Sequence, residues 1–429
     1  MKPLCGTLLT LIFYSLTAWG QFQPPHIILI MADDLGYEAL ACNGGPYQTP
    51  HLDRLAREGM RFTQAYATPL CTPSRVQLMT GKYNHRNYRG FGILDSGETT
   101  FAHHLKRAGY HTYVAGKWQL WGNKTQVNLA GQHGSRPEQM GFDGFCLWQV
   151  EDRGPRFKSP LLETLPGGLQ AFPEGYGPDI FVDSLLGFFQ QHKNEPVLLY
   201  YPMCLTHDPY RPTPDQAEAY EAYQTGTPLN DTSYFADNVA YMDKMVGRLV
   251  DRVKELSLER ETLLLFVGDN GMDRDVYTAW QGRYQQGRKG YPVEYGTHVP
   301  MIAYWPGTIA PGQVNHQLVD LTDFFPTMVE AAGSSLPEEL DGLSFFPALV
   351  GEKAPTRAWI FCHYDPRWGR FKKVTYAQDT YWKLYADGRL YRFKADPEEQ
   401  QPIETTQATL ADERARKRLQ SVLNRMTHP

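Results

Sequence analysis

The stretch Cys71-Thr72-Pro73-Ser74-Arg75 puts a nucleophile, a helix start and a fixed cation within five residues. Pro73 suits the first turn of a helix, where its missing N–H is not needed, and Gly81 is a natural stop. Cys71 is then expected just before that helix, where unpaired N–H groups and the dipole favour an anionic sulfur. Arg75 adds positive charge one turn on. Four apolar runs elsewhere each lead into polar residues: Asp33-Asp34, Lys117, His207 and Asp269-Asn270. Three carboxylates and an amide are hard oxygen ligands, suited to Ca²⁺ or Mg²⁺ rather than to zinc. Singly, each has a plainer reading: a buried cysteine at an ordinary helix, a solvated Asp-Asp turn, an Asp-Asn-Gly type I′ turn, a structural histidine. Their arrival at one sheet edge, where open α/β sheets bind ligands, is what groups them.

The positioning elements follow from hydrophobic patterning. His26 to Met31, Val197 to Met203 and Thr262 to Val267 are continuous apolar runs, as for parallel strands buried on both faces. His111 to Ala115 and Val299 to Trp305 are further strands, and Phe62 to Ala67 a short one leading to Cys71. Helices are expected at Thr49 to Gly59, Thr100 to Ala108, Asp179 to His192, Tyr234 to Leu256 and Asp320 to Ala332. Gly122 to Gly177 is rich in Gly, Pro and charge and is expected to be mostly loop. The fold class is therefore α/β, a large mostly parallel sheet sandwiched by helices. After about Gly351 the texture changes. Phe371 to Tyr376, Tyr381 to Tyr385 and Leu390 to Lys394 are expected as antiparallel strands, and Ala408 to Met426 as a closing helix. The division is residues 1–20 as a signal peptide, 21–350 as the catalytic domain, and 351–429 as a small α+β subdomain.

The 429 residues carry a net charge of −5, which points away from nucleic acid and anionic membranes as partners. Lys2, the apolar Leu8 to Leu16 and Ala18-Trp19-Gly20 form a secretory signal, so a secreted or periplasmic location is expected. No run is long enough for a membrane span, and Cys42 lacks a lipid-attachment context. Of six cysteines, Cys5 falls in the signal. The remaining five, an odd number without a CxxC pair, leave at least one thiol unpaired or modified.

Six ordered motifs resemble the type I sulfatases, within the alkaline phosphatase superfamily: Asp33-Asp34-Leu35-Gly36-Tyr37, the Cys71 motif with Leu78, Thr80 and Gly81 in register, Gly116-Lys117-Trp118, Thr206-His207-Asp208-Pro209, Gly268-Asp269-Asn270-Gly271, and Lys289-Gly290 with Glu294 and Gly296-Thr297-His298-Val299-Pro300. The resemblance covers Ile27 to about Gly351, and Leu390-Tyr391 to Glu399 looks like the family's terminal strand pair. It implies an alkaline-phosphatase-like fold and a sulfuric ester hydrolase. Cys71 would be oxidised to formylglycine by a formylglycine-generating enzyme. Asp33, Asp34, Asp269 and Asn270, with an oxygen of modified residue 71, would hold Ca²⁺, with Mg²⁺ the other fitting cation. Arg75 would fix the aldehyde hydrate. Lys117, His207 and Lys289 would bind sulfate oxygens, and His207 or Lys289 would protonate the leaving oxygen. One hydroxyl of the hydrate would attack sulfur, and the other, once deprotonated, would expel sulfate.

One position departs from the pattern. Where the family has Gly-Lys-Trp-His-Leu-Gly, this chain has Gly116-Lys117-Trp118-Gln119-Leu120-Trp121. Two residues along an extended backbone share a face, so Gln119 is expected beside Lys117, in place of the histidine that deprotonates the second hydroxyl. Glutamine is no base at neutral pH. Substrate subsites are expected in the loops Gln149 to Ser159, Pro209 to Asp215, Asp273 to Arg288 and His363 to Lys373, with Arg288, His363 and Arg367 as candidates. The readings are then a sulfatase acting on a sulfated carbohydrate, a phosphoester or phosphonate ester hydrolase on the same scaffold, and a catalytically impaired sulfated-glycan binding protein.

Overall fold

The computed structural model describes residues 23–151, 153–223, 230–353 and 355–427. The expected signal peptide lies outside them. Ten strands form the central sheet: β1 (His26–Ala32), β2 (Met60–Phe62), β3 (His111–Lys117), β4 (Gly144–Trp148), β5 (Leu161–Leu165), β6 (Gly168–Ala171), β7 (Val197–Pro202), β8 (Thr262–Gly268), β9 (Met301–Tyr304) and β10 (Gln313–Asn315). Their spatial order is β10-β2-β9-β8-β1-β7-β3-β4-β5-β6. The middle of the sheet, β8-β1-β7-β3-β4, is wholly parallel. Strand β9 runs antiparallel to both its neighbours, and β4-β5-β6 is an antiparallel meander.

Alternation along β1 sorts the two faces. Ile27, Leu29 and Met31 pack with helices α2 (Cys71–Thr80), α3 (Phe101–Arg107) and α6 (Phe324–Ala331). Ile28 and Ile30 pack with α1 (Pro50–Glu58), α4 (Gly177–His192) and α5 (Phe235–Glu255). A strand covered on both sides needs no polar face, which is why its sequence is continuously apolar. The carboxyl ends of β1, β3, β7 and β8 consequently share one edge.

Some expected elements differ. The 122–177 segment contains a helix, Lys124–Ala130, and strands β4 to β6, with β4 fully buried beside β3. The Asp320–Ala332 helix begins only at Phe324, because the Asp320 carboxylate accepts a hydrogen bond from the Thr322 N–H and caps a short turn. The Phe62–Ala67 strand is broken into Met60–Phe62 and Ala65–Tyr66. The C-terminal sheet has four antiparallel strands, β11 (Ile360–Tyr364), β12 (Val374–Gln378), β13 (Lys383–Tyr385) and β14 (Leu390–Tyr391), the first of them unexpected. Phe361, Ala377, Leu384 and Leu390 pack under Leu419, Val422 and Leu423 of α7 (Leu410–Thr427). Cys42, Cys71, Cys146, Cys204 and Cys362 are all free thiols.

Candidate active site

Helix α2 starts at Cys71 itself, with extended Leu70 before it, and stops at left-handed Gly81, whose N–H donates to the Gln77 carbonyl. Every residue of this helix is buried, so Cys71 is held by packing except where it borders a cavity. The expectation of a stabilised thiolate is overturned. Burial pushes the thiol up, Asp33 and Asp269 add to the rise, and Lys117 only partly opposes it. The helix-terminus effect is small beside desolvation in a site this closed.

Around Cys71 the strand ends supply a carboxylate nest. Asp33, Asp34 and Asp269 are each wholly buried. Lys117 Nζ donates to Asp33 Oδ2 at 2.7 Å and Oδ1 at 3.1 Å. Lys289 Nζ donates to Asp34 Oδ2 at 2.5 Å. Arg75 donates through Nε and Nη2 to Asp269 Oδ2 at 3.3 and 3.1 Å, and through Nη1 to the Lys117 carbonyl. Burial would raise Asp33, but Lys117, His207, Arg75 and Lys289 together hold it well below the carboxylate range. Asp269 is pushed up to about 8 by burial and by the charge of Asp33, against the pull of Arg75. Three carboxylates thus face three fixed cations, and a divalent cation would leave the site net positive, as an anionic ester requires.

Two observations test whether the nest fits a metal. Oxygens of Asp33 and Asp269 and the sulfur of Cys71 all lie within 4.8 Å of one another. Asn270 donates its amide N–H₂ to Asp34 Oδ1 at 2.8 Å and to the Gly271 carbonyl, while its own Oδ1 is buried without a partner. A buried amide oxygen left over beside three carboxylates is the donor set a hard cation takes. The residues present fit.

Above the nest, His207 Nε2 stands 3.0 Å from Lys289 Nζ, and Nδ1 lies 2.6 Å from Asp208 Oδ1. Burial would raise Asp208, but its hydrogen bond and ionic attraction to His207 hold it well below the usual range. Arg156 also donates to the His207 and Asp208 carbonyls.

A cavity of about 240 Å³ opens over this group, lined by Cys71, Gln119, His207 and Lys289 with Trp368 and Phe371. Lys117 and Arg75 lie beneath it, turned toward Asp33 and Asp269. Gln119 reaches the cavity differently from the extended-strand expectation. Strand β3 ends at Lys117, and Gln119 has a left-handed φ of 53° with its N–H bonded to the Gln149 carbonyl. A second cleft of about 410 Å³ adjoins, sharing Gln119, Arg153 and His207 and lined by Trp148, Arg156 and Arg211 among others. The loops 149–159 and 209–215 therefore line the site, and 363–373 contributes Trp368 and Phe371.

Arg288, His363 and Arg367 line neither cavity. Arg288 is tied to Glu398, His363 to the Thr375 hydroxyl, and Arg367 to the Arg89 carbonyl. The 273–288 loop folds into a hairpin whose Trp280 faces another cavity. Asp208 and Arg156 were missed as site residues. Asp208 follows His207 directly in the chain, whereas nothing local marks Arg156.

Buried carboxylates, a buried cysteine at a helix start and cationic groups meet at the carboxyl edge of this sheet, and the family and relatives that match the chain place it in the alkaline phosphatase superfamily. Residues 25–334 match the sulfatase family model, and residues 285–427 match the C-terminal model of N-sulphoglucosamine sulphohydrolase. Human arylsulfatase A is 34% identical over 382 residues, covering 79% of this chain and 70% of that protein. Mouse N-acetylgalactosamine-6-sulfatase is 32% identical over 384 residues, covering 80% and 69%. A solved protein in complex with its substrate D-glucosamine-2-N,6-O-disulfate shares the fold, with a TM-score of 0.76 at 21% identity over 94% of this chain and 98% of that one. The chain belongs to the sulfatase family and is a sulfuric ester hydrolase. Among the described residues, no helix is long and apolar enough to cross a membrane.

Proposed function

We propose that this protein is an exported sulfatase that removes sulfate from a sulfated carbohydrate, using formylglycine at position 71 and a bound Ca²⁺ or Mg²⁺. The observation that carries this reading is Cys71 itself, at the head of a buried helix and on the cavity wall beside Asp33 and Asp269. Support for a sugar substrate comes from the N-acetylgalactosamine-6-sulfatase relative and from the fold neighbour bound to a disulfated glucosamine. Maturation by a formylglycine-generating enzyme and export through residues 1–20 belong to the same proposal, as does the division at residues 350/351.

The chain's own residues divide the work. Asp33, Asp34, Asp269 and Asn270 would hold the cation, which supplies a Lewis acid for an oxyanion. Formylglycine at position 71, if formed, would supply a hydrated aldehyde with two hydroxyls, one suited to nucleophilic attack. Arg75 keeps Asp269 in place and Lys117 keeps Asp33 in place. Lys289 faces the cavity with a proton held by Asp34: burial would lower its pKa, but the Asp34 charge drives it well above the usual lysine value. His207, oriented by Asp208, shares that edge, so the pair is placed to hold sulfate oxygens and to hand a proton to the leaving oxygen. Gln119 can donate its amide N–H₂ to a bound anion but cannot act as a base.

Mass spectrometry of the Cys71 peptide, after co-expression with a formylglycine-generating enzyme, tests the nucleophile. A thiol-to-aldehyde mass loss is expected. Full activity with an unmodified thiol removes formylglycine from the reading. Parallel assays on an aryl sulfate and an aryl phosphate separate the phosphoester alternative. Gln119 favours one second reading, a glycan-binding protein with an impaired release step. That reading requires sulfated-sugar binding without turnover by the matured protein.

A further inference from the structure

We propose that the 410 Å³ cleft beside His207 is a second-anion subsite, and that the substrate is a saccharide carrying another sulfate or a carboxylate next to the sulfate to be removed. The inference rests on the sulfatase reading and narrows its substrate class.

The cleft is lined mainly by cationic and aromatic side chains. Arg153, Arg156, Lys158 and Arg211 line it, and Asp208 is the one carboxylate among the described lining residues. Asp208 is already engaged with His207 Nδ1 at 2.6 Å. Aromatic rings and main-chain carbonyls are among the groups that hold Arg156, Lys158 and Arg211. The Arg156 guanidinium sits 4.7 Å from the Trp148 ring centre and 5.1 Å from that of Phe157, and its Nη2 donates to main-chain carbonyls. The Lys158 ammonium lies over Tyr220 and Tyr223 and donates to the carbonyls of both, at 2.8 and 3.2 Å. The Arg211 guanidinium lies 5.4 Å from the Tyr223 ring centre. An aromatic face attracts a cation but leaves its charge available to a ligand. Arg136 shows the contrast, bonded to three carboxylates, Glu138, Glu151 and Glu163.

Arg156 carries a more specific signal. It is only 8% exposed, yet its Nε–H is buried without a partner. An unspent N–H on a buried guanidinium at the wall of a cleft calls for an acceptor from a ligand. Arg153 is exposed at the junction of the two cavities and has no ionic partner among the described residues. A substrate whose scissile sulfate lies over Cys71 therefore extends past Gln119 and His207 into a field of positive charge. A neutral extension would strip water from those cations and return nothing.

The test compares a disulfated disaccharide with the same disaccharide bearing one sulfate. Binding to the Cys71→Ala chain, measured by calorimetry, reads the subsite without any turnover. The disulfated sugar is expected to bind about tenfold to a hundredfold more tightly, the gain of one or two charge-assisted hydrogen bonds. That preference should shrink as salt is raised. Arg153→Gln, at an exposed position, and the double variant with Arg156→Gln, which removes the unpartnered N–H, should each reduce the preference, the double variant bringing it close to one. Equal affinity for the two sugars, no affinity for either, or a preference that survives both substitutions overturns the proposal. The parent reading fails separately, if the matured wild-type enzyme hydrolyses no sulfate ester, nitrophenyl sulfate included.

Discussion

Lys289 Nζ lies 3.0 Å from His207 Nε2, and Asp34 Oδ2 stands behind them, 2.5 Å from the ammonium and 3.8 Å from the imidazole. Two groups able to carry a proton are in contact, one held by Asp34 and the other by Asp208, and the proposed role of this pair is a relay to the leaving oxygen. Such a relay matters in proportion to how poor the leaving group is. A sugar alkoxide must be protonated as it departs, whereas a nitrophenolate leaves without help. Lys289→Ala and His207→Ala are each expected to lower kcat/KM for a sugar sulfate by about 10²–10⁴, and for nitrophenyl sulfate by clearly less. Equal losses on both substrates would assign the pair to sulfate binding alone. A melting curve on each variant checks that the fold survives.

Gln119 offers a gain of function. It occupies a left-handed turn at φ 53° and lines the cavity with Cys71 and His207. Histidine is among the residues that tolerate this backbone region, so Gln119→His should fold normally and place an imidazole where no base now stands. Steady-state turnover should rise about tenfold or more if release of sulfate limits the rate, with metal affinity unchanged. Single-turnover kinetics locate the gain, since only the release phase should quicken. An unaltered release rate across the pH range means that another group already does this work.

The comparison of sequence with structure divides along the range of the forces involved. Pro73 and Gly81 bracket α2 through local backbone preferences, and the apolar runs of β1, β7 and β8 announce strands buried on both faces. Asp33, Asp34, Asp269 and Asn270 could therefore be grouped at one edge. Gln119 borders the cavity through a left-handed turn and not through strand alternation, because the extended rule ends with β3 at Lys117. The sulfur of Cys71 was misjudged for a similar reason. Its helix start is local and visible, but the carboxylates and the burial that oppose ionisation arrive from distant strands. Arg156 meets His207 across 51 residues, and Arg288, His363 and Arg367 found partners elsewhere that no spacing reveals. Strand β4 hid because five residues in a Gly- and Pro-rich stretch carry too little periodicity.

Metal removal should separate activity from folding. Asp33, Asp34 and Asp269 each have an internal cationic partner, Lys117, Lys289 and Arg75 respectively. Chelator-treated protein is therefore expected to keep its far-UV spectrum and a cooperative melt while losing sulfatase activity. Returning Ca²⁺ at about 100 times its dissociation constant should add about 2.7 kcal/mol of stability. Asn270→Ala removes the unpartnered Oδ1 and should weaken the ion about tenfold or more, as read by chelator competition. Identical melting with and without Ca²⁺ or Mg²⁺ would contradict a cation in this nest.

A pH-dependent stability is expected from Glu38. This carboxyl is 2% exposed and its Oε1 is buried without a partner. Burial pushes it up to about 8, and the charge of Glu294 adds to the rise. In the unfolded chain it titrates near 4.5. Between those two values the folded protein holds a proton that the unfolded chain has released, so stability falls as pH rises through that window. The slope is about 1.4 kcal/mol per pH unit, with an upper bound of roughly 5 kcal/mol across the window. Glu38→Gln keeps the shape and removes the titration. Its melting temperature relative to wild type should climb steadily from mildly acidic pH and be highest once the folded carboxyl has ionised. A constant difference between the two proteins over the same range would mean that Glu38 keeps its ordinary pKa, through a hydrogen bond or ion that compensates its burial.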